Sequence, residues 1–271
     1  MKHNKVLTTV LTVLLVLVGV SGYCETGEKT VLKVGATPVP HTEILEYIKP
    51  MLEKEGIELK IISFTDYVQP NLALDRGELD ANFFQHIPYL ESFSRDHNLN
   101  LSVAAKVHIE PIGVYSRKVS NIADLRKRAI VAIPNDPSNA GRALALLAKA
   151  KLITLKDGAG VSATVQDIVD NPKKLKVKAL DAAQLPRVLA DVDAAVINTN
   201  YALEGNLNPL KDAIFIEDKD SPYSNILVVR KVDFDKPALR KLAEILVSPA
   251  VEKFITEKYK GAILPAQELM K

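Results

Sequence analysis

The chain has 271 residues, of which 47% are hydrophobic, and its formal net charge is +2. This length exceeds one small domain and suits two lobes of about 100–150 residues each, with enough apolar material for a buried core. A net charge near zero argues against a nucleic-acid-binding protein, which usually presents a strongly basic face. The basic runs are short and are typical of a solvated surface.

The N-terminus has the pattern of an export signal. A basic start with Lys2 and Lys5 precedes an apolar run at 6–20, and small residues follow that run. The run is shorter than the roughly 20 residues that a membrane-spanning helix needs, and no later stretch of the sequence is longer. The sequence therefore predicts a signal peptide at 1–23 and a short tether at 24–30.

Cys24 is the only cysteine, so the chain forms no intramolecular disulfide. Its position directly after the export signal is that of the lipidated cysteine of a bacterial lipoprotein. Tyr23 departs from the small residue that usually precedes such a cysteine, and conventional cleavage after Gly22 is the alternative. We expect a periplasmic or cell-envelope protein, anchored to a membrane by a lipid if Cys24 is modified.

Alternating strand and helix patterns predict a parallel sheet in the first part of the chain. Asp66 is suited to cap the second helix, and Gly77 ends it. The strands are predicted at 31–34, 57–61 and 79–83, and the helices at 42–54 and 66–76. This order implies a parallel sheet covered by helices.

The pattern restarts at Asn121, which predicts a second lobe. Asp136 and Pro137 are typical of a helix start, as the N-cap and the first helical residue. Further strands are predicted at 129–133, 177–180, 194–197 and 226–229. Further helices are predicted at 121–126, 137–150, 184–189, 235–247 and 249–259.

The segment that follows Leu79-Asp-Ala81 concentrates residues suited to a small-molecule pocket. Its members are Asn82, Phe83, Phe84, Gln85, His86 and Tyr89. They follow the predicted end of a buried strand and are too polar for an ordinary core. Aromatic walls with a few convergent polar groups form such a pocket. The alternative is a loop with two buried aromatic rings and a hydrogen-bonded histidine.

A short echo of this segment occurs in the second half of the chain. Asp80-Ala81 precedes the aromatic segment, and Asp193-Ala194 precedes the segment Val196-Ile-Asn-Thr-Asn-Tyr201. Ligands of open α/β sheets lie beyond the carboxyl ends of the strands. Two such clusters, one in each lobe, predict one ligand between the lobes.

The sequence lacks the motifs of an enzyme. It has no metal-ligand spacing, no phosphate-binding glycine loop and no nucleophile beside a base. We therefore expect neither a metal nor a cofactor, and no catalysis.

Arg142, Asn198 and Asn225 are suited to the polar end of a ligand. Arg142 lies about one turn into the helix that begins at Pro137, where an anion is favoured, and its guanidinium offers a carboxylate two parallel donors. A surface arginine beside Asp136 is the alternative. The two asparagines supply donors and acceptors for a zwitterion, or they belong to turns.

Together these segments resemble the NlpA-type family of methionine-binding lipoproteins, the exported receptors of a methionine importer. The resemblance runs from about Val31 to the C-terminus. It is carried in order by Phe64-Thr-Asp-Tyr67, Asp80-Ala-Asn-Phe-Phe-Gln-His-Ile-Pro-Tyr89, Pro134-Asn-Asp-Pro-Ser-Asn-Ala-Gly-Arg142, Gln184-Leu-Pro-Arg187, Val196-Ile-Asn-Thr-Asn-Tyr201 and Ser221-Pro-Tyr-Ser-Asn225.

The resemblance implies an α/β, two-lobed periplasmic-binding-protein fold of type II, with the ligand in the cleft between the lobes. The first lobe would comprise 31–115 plus 215–271, and the second 116–214. The chain would cross between the lobes near Tyr115 and near Phe215.

The family's ligand residues are carried over at the matching positions. The slot for the thioether side chain would be lined by Tyr67, Phe84, His86 and Tyr89. Arg142 would bind the carboxylate, and Asn198 and Asn225 would hold the amino and carboxylate groups. Phe83 departs from the smaller residue usual in the family, and its ring would either narrow the slot or pack beneath it.

The implied function is that of a monomeric receptor that captures methionine and delivers it to an inner-membrane ABC permease with its ATPase. A receptor for another amino acid or for a Met-containing dipeptide is one alternative. Another is an exported two-lobed enzyme that acts on an amino acid, for which His86 is the only candidate base. A third is a surface lipoprotein whose main role is adhesion.

Overall fold

The computed structural model describes residues 29–218 and 221–270. The predicted signal peptide, Cys24 and most of the predicted tether lie outside the described residues. Among the residues that are described, no helix is both long enough and apolar enough to cross a membrane.

Strands and helices alternate along most of the described chain. The strands are β1 (Thr30–Ala36), β2 (Ile57–Ser63), β3 (Ala81–His86), β4 (Leu101–Ile109), β5 (Gly113–Tyr115), β6 (Ile130–Pro134), β7 (Thr154–Leu155), β8 (Ile168–Asp170), β9 (Lys176–Leu180), β10 (Ala194–Ile197), β11 (Ala213–Ile216), β12 (Ser224–Arg230) and β13 (Leu264–Leu269). The helices are α1 (Glu43–Lys54), α2 (Gln69–Asp75), α3 (Ile87–His97), α4 (Pro137–Lys149), α5 (Leu185–Val188), α6 (Thr199–Glu204), α7 (Pro209–Asp212), α8 (Pro237–Leu246) and α9 (Pro249–Tyr259).

The first sheet has the strand order β13-β4-β12-β3-β1-β2. β1 pairs in parallel with both β2 and β3, as the sequence predicts, and β12 runs antiparallel between β3 and β4. α1 buries Ile44, Ile48 and Leu52 against this sheet, because residues four apart lie on one face of a helix.

The second sheet has the strand order β11-β5-β10-β6-β9. β10, β6 and β9 are parallel, whereas β5 and β11 are antiparallel to their neighbours. α4 begins as the sequence predicts, because the side chain of Asp136 accepts a hydrogen bond from the backbone N–H of Asn139. Leu144 and Leu147 of α4 are fully buried in the core of this sheet.

The chain passes from one sheet to the other at two crossings. It leaves the first sheet after Ile109 and returns before Ser224, so residues 110–112 and 217–223 connect the sheets. Tyr115 and Phe215, near which the sequence places the crossings, pair within the second sheet.

The sequence-based prediction is wrong about the end of β3. It ends this strand at Phe83 and describes the following residues as too polar for the core, yet β3 continues to His86 and all six of its residues are buried. Asn82 and Gln85 are tolerated there because each donates a side-chain hydrogen bond to Asn71 Oδ1, at 2.8 and 2.6 Å. Their polar groups are therefore paired inside the protein.

Other elements have no counterpart in the sequence-based prediction. These are α3, α6, α7, β4, β5, β11, β13 and the small β7–β8 ribbon. The helix predicted at 121–126 is only a short 3-10 turn at Ile122–Asp124, whereas the helix predicted at 184–189 is present as α5, which a 3-10 turn at Ala182–Gln184 precedes. α3 does carry a local signal, because His86 caps it and Pro88 lies in its first turn.

The echo between the two halves has a structural counterpart. Asp80 exchanges two hydrogen bonds with the backbone of Lys33 on the neighbouring strand, one from its own N–H and one through its carboxylate. Asp193 makes the same two bonds with the backbone of Ile130. The repeated Asp-Ala therefore joins a strand to its parallel neighbour in each sheet.

Gly141 holds α4, and with it Asn139 and Arg142, close to the segment at 160–163. A Cβ atom at this position would overlap the carbonyl oxygen of Val161 and lie 2.8 Å from its carbonyl carbon. We expect Gly141→Ala to lower the free energy of unfolding by about 1–3 kcal/mol, because a backbone contact cannot give way easily. Denaturant titration measures this change.

Ala145, on the exposed face of the same helix, provides the matched control. Ala145→Gly should cost about 1 kcal/mol through helix propensity alone. If only helix propensity mattered, Gly141→Ala would raise the free energy of unfolding by a similar amount. An observed increase would therefore contradict the role of the close contact with Val161.

Candidate ligand-binding site

A pocket with an empty volume of about 330 Å³, part of it open to solvent, lies between the two sheets. It is lined by Tyr67, Phe84, Gln85, His86, Tyr89, Glu110, Asn139, Arg142, Asn198, Thr199, Asn200 and Asn225. All seven ligand residues expected from the sequence are in this lining. Five further residues line it as well, namely Gln85, Glu110, Asn139, Thr199 and Asn200.

Three aromatic rings form one wall of the pocket. The centroids of Tyr67, Phe84 and Tyr89 are 5.8–6.0 Å apart, in tilted and edge-on arrangements. The hydroxyl of Tyr89 donates to the backbone carbonyl of Tyr67 at 2.8 Å, which fixes one ring against the other. The wall is therefore apolar and held in place by contacts within the protein itself.

His86 connects this wall to the second sheet. Its Nδ1 accepts a hydrogen bond from the backbone N–H of Tyr89 at 3.2 Å, so the ring proton is on Nε2, which lies 3.0 Å from Asn139 Oδ1. Burial, with the nearby charge of Arg142, lowers the pKa of His86 to about 3. The ring is neutral and both of its nitrogens are engaged, which makes it a poor general base.

Arg142 contacts both crossings. Its guanidinium donates from Nε and Nη2 to the carboxylate of Glu217, at 3.1 and 2.5 Å, and from Nη2 to the carbonyl of Glu110 at 2.8 Å. It also lies 4.1 Å from the centre of the Tyr223 ring. Among the described residues nothing accepts a hydrogen bond from Nη1, and Arg142 is one of the residues that line the pocket.

Glu110 is a buried carboxyl group at the first crossing. Its Oε1 lies 2.8 Å from His108 Nε2 and 3.4 Å from His41 Nε2, and its Oε2 accepts the backbone N–H of Asn200 at 3.0 Å. Burial raises the pKa of Glu110, although His41, when it is protonated, and Arg142 act in the opposite direction. This carboxyl group connects the crossing to the start of α6.

Two buried amide atoms of the lining have no partner among the described residues. They are Asn198 Oδ1 and Asn200 Nδ2. The other amide atom of each is engaged, since Asn198 Nδ2 donates to Asn139 Oδ1 at 2.8 Å and the Tyr67 hydroxyl donates to Asn200 Oδ1 at 2.6 Å. An unpaired buried polar atom costs about 1–3 kcal/mol, so the pocket is prepared for a polar ligand.

Phe83 is not in the pocket lining. Its ring is fully buried in the core of the first sheet and packs edge-on against His41 and His108, with centroids 4.7 and 5.4 Å away. Side chains alternate across a strand, so Phe83 faces away from Phe84. Of the two possibilities that the sequence leaves open, the ring therefore packs beneath the slot.

Within the described part of the chain, His41, His108 and Glu110 have the donor atoms of a metal site. One nitrogen or oxygen of each lies within 4.8 Å of the others, although their sequence spacing gives no such indication. However, His108 Nδ1 has no partner among the described residues, whereas a metal-bound histidine usually donates its second N–H. The short distances to Glu110 fit a hydrogen-bonded network better than a metal centre.

Most of the additional lining residues are within segments that carried the family resemblance. Gln85, Asn139, Thr199 and Asn200 stand in those segments, between residues that the sequence does single out. Glu110 is different, because it follows a strand that the sequence does not predict and belongs to no motif. Only the tertiary structure brings it to the pocket.

The buried histidines predict a loss of stability in acid. Burial lowers the pKa of His41 to about 4 and those of His86 and His108 to about 3, against about 6.5 in an unfolded chain. The unfolded state therefore binds more protons below about pH 6.5. The free energy of unfolding should fall from there towards pH 4, by at most about 2–3 kcal/mol per histidine.

His86→Asn tests this dependence, because asparagine keeps an N-cap acceptor for α3 and removes one titrating group. Denaturant titrations of the ligand-free protein near pH 7 and pH 4.5 should show a smaller pH effect in this variant than in the wild type. His97→Asn, at an exposed position, is the control and should keep the wild-type dependence. If the free energy of unfolding of His86→Asn depends on pH as strongly as that of the wild type, buried His86 is not a source of the acid sensitivity.

Comparison with known proteins extends these observations. Residues 32–267 match the NlpA lipoprotein family. A Vibrio cholerae protein, the probable D-methionine-binding lipoprotein MetQ, is 42% identical over 240 residues, which cover 87% of this chain and 89% of the relative. The structure of a nutrient binding protein from Burkholderia cenocepacia bound to methionine is 51% identical with a TM-score of 0.84, and the match covers 87% of this chain and 99% of that one.

A further structure, of a periplasmic substrate-binding protein of an ABC transporter from Coxiella burnetii, is 43% identical with a TM-score of 0.83 over 87% of this chain and 100% of that one. These similarities confirm the predicted two-sheet periplasmic-binding-protein fold and the predicted export. They also confirm the prediction of a substrate-binding protein rather than an enzyme. The chain belongs to the NlpA lipoprotein family.

Proposed function

We propose that this protein is an exported receptor that captures methionine and delivers it to an ABC transporter. The observation that carries the proposal is the division of the pocket. One side is a wall of aromatic rings, and the other combines the guanidinium of Arg142 with the unpaired amide atoms of Asn198 and Asn200. A zwitterion with an apolar, flexible side chain fits this arrangement.

The aromatic wall is suited to a thioether. In our proposal the methionine side chain lies against Phe84 and Tyr89, with Tyr67 and His86 completing the slot. Sulfur–aromatic contacts contribute about 0.3–1.5 kcal/mol each, and an unbranched thioether adapts to the space between rings. The neutral state of His86 keeps a second positive charge out of the slot.

The polar side is suited to the two charged groups of an amino acid. We assign the carboxylate to Arg142 and Asn225, because charge-assisted hydrogen bonds from a guanidinium are strong and directional. The ammonium group is assigned to Asn198, whose Oδ1 is an acceptor with no partner among the described residues. The proposal thus gives each end of the zwitterion a group of matching polarity.

Relatives support the ligand and the transport role. The Vibrio cholerae relative is named as a probable D-methionine-binding lipoprotein, and the Burkholderia cenocepacia structure holds methionine. The Coxiella burnetii structure belongs to an ABC transporter. We propose that the partner is an inner-membrane permease with its ATPase. We also propose that the receptor is a monomer without a cofactor and that a lipid on Cys24 anchors it to a membrane.

Closure of the cleft would couple ligand capture to delivery. The two lobes, one around each sheet, would hinge at the two crossings, a few residues away from the bounds near 115 and 215 that the sequence predicts. Hydrogen bonds already join the two sides of the cleft, from His86 to Asn139 at 3.0 Å, from Tyr67 to Asn200 at 2.6 Å and from Tyr201 to the Thr65 carbonyl at 3.1 Å. Ligand contacts made only in the closed form would shift the equilibrium towards closure.

Arg142→Ala should weaken methionine binding at least tenfold, because a bond to a charged group is worth about 1.5–3 kcal/mol. Isothermal titration calorimetry with L- and D-methionine measures the effect. Arg142→Lys should also bind more weakly, since lysine keeps the charge and loses the planar pair of donors.

Arg117→Ala, at an exposed position of the second lobe, is the matched control and should bind as the wild type does. Circular dichroism should establish that both Arg142 variants are folded, since Glu217 loses its partner in the alanine variant. Wild-type affinity in a folded Arg142→Ala protein would rule out the carboxylate assignment.

A further inference from the structure

We propose that His41, a residue outside the pocket lining, is a positioning residue that sets the hydrogen-bonding polarity of the ligand site. It holds the side-chain amide of Asn225 with the oxygen turned inward and the NH₂ group turned to the ligand carboxylate. This inference rests on the proposed function, since it concerns the assignment of the carboxylate to Asn225.

His41 lies directly behind Asn225. It precedes α1, is only 1% exposed, and is held by the edge of the Phe83 ring at a centroid distance of 4.7 Å. Asn225, near the start of β12, does line the pocket. Any influence of His41 on a ligand therefore passes through Asn225.

The hydrogen bonds of His41 indicate which ring nitrogen carries the proton. Its Nε2 lies 3.0 Å from Asn225 Oδ1, which only accepts, so Nε2 carries the proton. Its Nδ1 lies 2.7 Å from Thr37 Oγ1, and in this tautomer it accepts the hydroxyl proton. Because the amide of Asn225 is planar and its oxygen is occupied, Nδ2 is the atom left for the pocket.

A reversed arrangement would also satisfy His41 and Asn225 considered alone. In that arrangement Asn225 Nδ2 donates to an unprotonated Nε2, Nδ1–H donates to Thr37, and Oδ1 faces the pocket. Glu110 decides between the two, since its Oε1 lies 3.4 Å from Nε2. An ionised carboxylate oxygen attracts an N–H at this distance and repels a lone pair, so Glu110 in its ionised form, which the charge of Arg142 favours, selects the tautomer with the proton on Nε2.

The consequence is a site with a donor side and an acceptor side. Asn225 Nδ2 joins Arg142 as a donor to the ligand carboxylate, whereas Asn198 Oδ1 remains an acceptor for the ammonium group. Turning the amide of Asn225 would place an oxygen against the carboxylate. The pair His41–Glu110 therefore discriminates against ligands in which a neutral or donor group replaces the carboxylate.

The tautomer can be measured without any ligand. Long-range proton–nitrogen NMR spectra of the protein labelled with ¹⁵N-histidine, recorded near pH 7, distinguish the two neutral forms. The His41 signals are assigned by their loss in His41→Gln. We expect the Nε2–H form, and an Nδ1–H form or an imidazolium at His41 would overturn the proposal whether or not methionine binds.

Calorimetry with methionine and methioninamide tests the effect on recognition. In His41→Leu the ratio of the two affinities should fall by about tenfold or more, because Asn225 is free to turn. His41→Gln, whose amide can donate to Asn225 Oδ1, should restore part of the preference. His97→Leu, an exposed control, should keep the wild-type ratio.

The outcomes separate the two claims. If His41→Leu loses the same factor of affinity for methionine and for methioninamide, His41 has only a structural role and the proposal is overturned. A wild-type protein that binds neither compound would refute the proposed function, and the tautomer measurement would still decide the orientation of Asn225. If His41→Leu does not fold, His41→Gln replaces it: because its amide restores only part of the preference, the ratio of the two affinities should fall below that of the wild type, and an unchanged ratio would overturn the proposal.

Discussion

The buried guanidinium of Arg142 is the constraint on which the site depends. An arginine that is 3% exposed requires partners for its charge, and it finds them in the Glu217 carboxylate and the Glu110 carbonyl. These two partners belong to the two crossings, so one side chain of α4 ties the second sheet to both connections. The crossings supply partners to Nε and Nη2 of a side chain that also lines the pocket.

Behind the pocket, polar groups fix one another's orientation. Glu110 selects the protonated nitrogen of His41, His41 selects the amide orientation of Asn225, and Phe83 holds the imidazole from below. Hydrogen bonds of this kind are strong in a low-dielectric interior and costly when left unpaired. The same burial keeps the histidines neutral near neutral pH, so the network that orders the site also makes the fold sensitive to acid.

The sequence predicts the fold class and brings its seven candidate ligand residues to one pocket, but it misses several elements of the architecture. Ligands of open α/β sheets lie beyond the carboxyl ends of the strands, and this rule, together with the echo between the two halves, predicts that the segments containing His86 and Asn198 face one ligand. The extension of β3 is missed because Asn82 and Gln85 are paired with Asn71 on another element, which no local pattern reveals. The crossings lie beside β5 and β11, two strands that the sequence does not predict and that pair antiparallel with each other. Glu110 lies in the crossing just before β5, so its place in the pocket follows from this pairing.

A crystal structure of the protein with methionine bound tests the central claim most directly, because it shows which end of the ligand meets each side of the pocket. The predicted result has the carboxylate at Arg142 and Asn225, the ammonium group at Asn198 Oδ1, and the thioether between Phe84 and Tyr89. A ligand bound in the opposite direction, or outside the space between the two sheets, would contradict the claim.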